Sequence, residues 1–255
     1  MNSGSKRIPV SLFAYVVWSA ITLLIMRWLD PGEHSLLESV CGGVGWNFVL
    51  AILFLVALTR INGWSDLAFV RPESLRSLRI LWLPTLYLLV FAGLAAIRGI
   101  SLTAPQILFV VINTAMVGLS EEFMFRGVLF RALRSRLCMW PAILLTSVLF
   151  GGVHVFNVFI TGQLVDATAQ ALAAMMSGFI FMALLLRTGS LWVPIAYHAL
   201  FDMSIFLATS GAAGAESEPG PSTLVRFLAP MALDVPNLLY ALFLLRKVRN
   251  EAPTE

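Results

Sequence analysis

Gln106-Ile-Leu-Phe-Val-Val-Ile-Asn-Thr-Ala-Met-Val-Gly-Leu-Ser-Glu121-Glu122-Phe-Met-Phe-Arg126-Gly-Val-Leu129 is an apolar run carrying two adjacent glutamates near its end. It is longer than the roughly 20 apolar residues that a helix needs to cross a ~30 Å hydrocarbon core. A carboxylate inside such a run is costly, so Glu121 and Glu122 are candidates for function from the outset. The run then turns basic at Arg131, Arg134 and Arg136. Those arginines complement the C-terminal end of a helix dipole, and Pro141 opens the following stretch at its first turn.

Working outward, comparable stretches lie near 8–29, 36–59, 78–97, 105–130, 141–160, 168–187, 189–209 and 224–246. Hydrophobic residues make up 59% of the 255 and charged ones 12%, against about half and about a quarter in a soluble domain. That excess of apolar surface must face lipid. The expected fold is therefore all-α and polytopic, with about eight transmembrane helices. Connections are short, so the chain reads as a single membrane domain over 1–255 with a motif-bearing core at about 105–205.

Lys6 and Arg7 precede an apolar run too long for a signal-peptide core, so the first stretch is read as a retained span. With the N-terminus inside, thirteen of the 17 basic residues fall in inside segments, which predicts an N-in, C-in orientation. A net charge of +3 distributed in this way gives no reason to expect a nucleic-acid partner. Cys41 and Cys138 fall near opposite faces and do not form a pair. Arg60 to Arg79 reads as an interfacial amphipathic stretch, and Ser210 to Ser222 as a flexible outer loop.

At membrane depth the ionisable residues are Glu121, Glu122, Asp202, Asp234, Arg126, His154 and His198; His34 sits in a loop. Glu122 and Arg126 are one helical turn apart and suited to an ion pair. Glu121 points about 100° away from Glu122, toward a cavity. Phe150 and His154 share a face of the fifth stretch, and His198 and Asp202 share one of the seventh. Three helices are thus expected to converge on one carboxylate and two imidazoles. Asp234, beside Pro236, is read as structural, and Gly151, Gly152, Ala173, Ala174, Ser177 and Gly178 as small residues for close helix packing.

Glu121-Glu122-Phe-Met-Phe-Arg126, Phe150-Gly-Gly-Val-His154 and His198-Ala-Leu-Phe-Asp202 resemble the motifs EExxxR, FxxxH and HxxxN/D. These mark the CAAX protease and bacteriocin-processing family of intramembrane endopeptidases, which includes the Ras-converting CAAX endopeptidase. Asp202 stands where eukaryotic members carry Asn. The resemblance implies a glutamate-type endopeptidase in which Glu121 and His154 activate water. His198 and Asp202 then serve the oxyanion, with Glu122, Arg126 and Phe150 in support. It implies a membrane-associated protein or peptide as substrate (a CAAX tail, a bacteriocin-related peptide or a C-terminal sorting tag), with the lipid bilayer as the other partner. No cofactor is expected; were a metal used, zinc on Glu121, His154 and His198 is the alternative. The location expected is a bacterial inner membrane. The competing classes are a non-catalytic immunity or scaffold protein and a proton-coupled transporter. The latter should show inverted repeats or broken helices in both halves, and the sequence shows neither.

Overall fold

The structure, a computed structural model, describes residues 3–29, 32–211 and 222–253. Most of the Ser210–Ser222 connection therefore lies outside the described residues. Among those described, every regular element is helical. They are α1 (Ser3–Leu29), α2 (Leu36–Cys41), α3 (Trp46–Ile61) and, after a 3₁₀ turn at Leu75–Leu81, α4 (Trp82–Arg98). Next, α5 (Ala104–Glu122) runs through a π-turn at Phe123–Leu129 into α6 (Phe130–Arg134). Then follow α7 (Met139–His154), α8 (Val158–Thr161), α9 (Leu164–Thr188), α10 (Trp192–Ser210) and α11 (Thr223–Leu245).

Among the described residues, seven helical segments are long and apolar enough to cross a membrane, the longest spanning Ala104–Arg134. Their outward faces carry side chains that only lipid would cover, among them Phe13, Leu24, Leu89, Leu228 and Leu239. The protein is an all-α integral membrane protein. The second apolar stretch differs from the single span expected. It is divided at Gly42–Gly45 into the short α2 and the 16-residue α3. The backbone groups freed by the break are taken up by a side chain from α5. Asn113 accepts from the Gly45 N–H at 2.8 Å and donates to Val40 O and Gly43 O at 2.7 Å each. A helix break at membrane depth persists only when such groups find partners.

In the core, α9 packs against α7 and α11, and α10 against α5 and α4. Small residues set the closest crossings. A Cβ on Gly118 would lie 2.9 Å from Ile195 O, so α5 and α10 touch backbone to backbone there. A Cβ on Gly151 would lie 2.5 Å from Ala171 O, and one on Gly178 2.9 Å from Ser147 Cβ. Gly152, grouped with these from sequence, faces open space instead.

The Arg60–Arg79 region leaves the end of α3 and enters the 3₁₀ turn at Leu75–Leu81. It docks through its backbone onto the turn between α9 and α10, with Glu73 N donating to Thr188 O at 3.0 Å and Leu191 N to Ala68 O at 2.8 Å. Gly189 makes that turn in the left-handed region, at φ 69°. Phe69 wedges edge-on against Phe123 and Trp192. At the same end Arg7 of α1 pairs bidentately with Asp66, at 2.8 and 2.9 Å, and lies over Trp64. Burial pushes the Asp66 carboxyl up, but the hydrogen bonds and charge of Arg7 outweigh it and hold it below its ordinary value. Both cysteines are free.

Candidate active site

The π-turn is the local feature on which the site is built. It follows the two glutamates directly, and the Phe130 N–H reaches back five residues to Phe125 O instead of four. Such turns recur at functional sites because the extra residue re-aims the side chains around it. Here all of Glu121–Phe130 is buried.

Glu122 and Arg126 form the expected ion pair, with Arg126 Nη1 at 3.0 Å from Glu122 Oε1 and both side chains fully buried. The second arm of the guanidinium, Nη2, donates to Gly178 O on α9 at 3.0 Å. Its flat face lies over the rings of Phe150 at 4.3 Å and Phe181 at 5.1 Å. Glu122 has a further partner that its spacing from Arg126 did not reveal. The same Oε1 meets His198 Nδ1 at 3.0 Å. A carboxylate already accepting from arginine can only accept again, so Nδ1 carries the proton.

His154 is held by its own helix. Its Nδ1 lies 2.8 Å from Phe150 O, and a carbonyl only accepts, so this ring too is protonated on Nδ1. Both imidazoles therefore turn Nε2 inward. Each Nε2 lies 3.9 Å from Glu121 Oε2. That oxygen is buried and has no hydrogen-bond partner. A separation of 3.9 Å is too long for a direct hydrogen bond and suits a shared third atom. Asp202 Oδ2 lies 3.4 Å from His198 Nε2, at the rim, with its side chain 27% exposed.

The structure thus brings Glu121, His154, His198 and Asp202 together from three helices, with Glu122, Arg126 and Phe150 packed behind them. Phe181, which stacks on His198 with centroids 4.6 Å apart, was not singled out from sequence. Nothing distinguishes it there from the chain's other 17 phenylalanines. Asp234 lies apart from this group, bonded to Ser177 and Asn237. Among the described residues, no group of three or more His, Cys, Asp or Glu is arranged to hold a metal ion.

Residues 101–204 match the family model described as "Rce1-like: Type II CAAX prenyl endopeptidase Rce1-like". The matched segment, which builds the site, is similar to that family. It spans α5 to most of α10 and includes all three motifs. No curated protein gives a significant match.

Proposed function

We propose that this Rce1-like protein hydrolyses a peptide bond of a membrane-associated protein or peptide, using a water activated by Glu121 and His154. One observation carries the reading. Glu121 Oε2 is buried, unpartnered and equidistant from the Nε2 atoms of both histidines. A water at that corner can give a proton to Glu121, while the lone pair on His154 Nε2 accepts a hydrogen bond from its second hydrogen. The hydroxide oxygen then bonds to the scissile carbonyl carbon. The proton on Glu121 passes to the leaving nitrogen as the C–N bond breaks.

His198 serves the oxyanion in this reading. With Nδ1 donating to Glu122, its Nε2 can donate to the oxyanion only as the imidazolium. Asp202 acts in this reading by orienting His198 rather than by touching the oxyanion. The partly open rim at Asp202 is the side from which a substrate backbone reaches the water. A membrane-anchored substrate and a bacterial inner-membrane location belong to the same proposal.

The test compares wild type with Glu121→Gln, both expressed in a bacterial host. New termini on membrane proteins are read by mass spectrometry, with and without a chelator. Termini made by wild type and persisting in chelator support the reading, with the variant reduced at least about 10²-fold. Loss of those termini in chelator would transfer Glu121, His154 and His198 to a metal site. Matching termini from two stably expressed proteins would remove the proteolytic assignment.

A further inference from the structure

We infer that Asp234 and Asn237 of α11, which lies outside the family-matched segment, are positioning residues for this site. The inference rests on the proposed roles of Glu121, His154 and His198. Asp234 is buried midway along a membrane-spanning helix, and no basic side chain pairs with it among the described residues. A carboxylate in that setting is costly. Asn237, one turn on, is also buried and leaves its Oδ1 without a partner.

The contacts of these two residues single out one purpose. Asp234 Oδ2 accepts from Ser177 Oγ at 2.8 Å, and Ser177 immediately precedes Gly178, whose carbonyl holds Arg126. Asn237 Nδ2 reaches Tyr197 Oη at 3.4 Å, and Tyr197 immediately precedes His198. Between those two points runs the relay Gly178 O, Arg126, Glu122, His198, with each link 3.0 Å long. The pair on α11 therefore grips the residue beside each end of the relay, on α9 and on α10. Asn237 also donates to Asp234 Oδ1 at 3.3 Å, tying the two grips together. Pro236 lies between them, and Tyr87 Oη donates to Leu233 O at 2.9 Å within the same turns. Small displacements of α9 or α10 would change the direction of His198 Nε2, and positional errors of that size slow a reaction strongly without abolishing binding.

Asp234 only has to accept from Ser177, so asparagine can replace it if the Asn237 amide flips to suit. Alanine cannot. The full-length chain is labelled with [15N]histidine and placed in lipid nanodiscs; its three histidines make the spectrum assignable. In Asp234→Ala the ring-nitrogen resonances of His198 should shift while those of His34 stay. For a membrane-anchored reporter that the wild type cuts, kcat should fall about tenfold with KM within about twofold. Asp234→Asn should restore kcat to within about threefold, and Ser177→Ala should reproduce the alanine variant. A folded Asp234→Ala with unmoved His198 resonances overturns the inference, as does Asp234→Asn behaving like alanine. Should Asp234→Ala not fold, Ser177→Ala and Asn237→Ala decide on the same criteria. If the wild type cuts nothing, the proteolytic reading fails by itself, and the His198 resonances still decide whether α11 sets the ring.

Discussion

Replacing Arg126 with methionine tests the energetic reading of the site most directly. Methionine fills much of the same volume but supplies no donor, so Glu122 Oε1 and Gly178 O each lose a 3.0 Å bond inside the protein. Breaking a fully buried ion pair by removing one partner costs about 3–5 kcal/mol, because the surviving charge stays buried. Glu122 keeps His198 as a donor, which favours the lower part of that range. Gly178 O lies inside α9 and loses a second donor, worth about 1 kcal/mol net, so the expected loss is about 4 kcal/mol. Glu122→Gln should cost about 3 kcal/mol for the mirror reason, an arginine left buried without its carboxylate. The double variant strands no charge and should cost about 3 kcal/mol, far less than the sum of the singles. Unfolding in mixed micelles with increasing dodecyl sulfate, followed by tryptophan fluorescence, gives all three free energies. Additivity within about 0.5 kcal/mol would show that the two side chains act independently and would refute the pairing. Arg126→Lys is a useful fourth arm. It keeps the charge but cannot span Glu122 and Gly178 with one planar fork, so it should recover only part of the loss.

Two further outcomes follow from the packing and the surface. Gly118→Ala forces a Cβ to within 2.9 Å of Ile195 O; separating α5 from α10 should destabilise the fold by about 1–3 kcal/mol, read by the same titration. The Arg7–Asp66 pair makes a small contribution present above about pH 4, the unfolded carboxylate's range. It is lost as pH falls through the lowered folded value of Asp66. Asp66 is half exposed, so the contribution is under about 1 kcal/mol. Asp66→Asn should flatten that part of the pH profile, and an unchanged profile would show that the pair contributes nothing.

The spans and the site were legible where the physics is local. Apolar runs of bilayer length report themselves, and the i,i+4 spacings of Glu122 with Arg126, Phe150 with His154 and His198 with Asp202 follow from helical geometry alone. What crosses between helices was not legible. The Glu122–His198 bond joins residues 76 apart in sequence, and no periodicity encodes such a partner. The break between α2 and α3 did leave a signal, since Gly42, Gly43 and Gly45 crowd one turn. Its stabiliser, Asn113, sits in another span and looks like any polar residue in an apolar run. The region after Arg60 has the composition of an interfacial amphipathic stretch. The pairing of its backbone with the Thr188–Leu191 turn has no counterpart in that composition.

The π-turn at Phe123–Leu129 also constrains how this chain can change. One additional residue in the helical path rotates everything after it by roughly 100° relative to a regular helix. The half before the turn aims Glu121 and Glu122 at the histidines. In the half after it, Arg134 binds Leu137 O and Ala252 O at the end of the bundle. Deleting any one residue between 123 and 129 would yield a more regular helix. It would also swing either the glutamates off the histidines or the arginine away from the chain terminus. Substitutions can accumulate in this segment under ordinary packing rules, but its length is locked to the two tasks it separates.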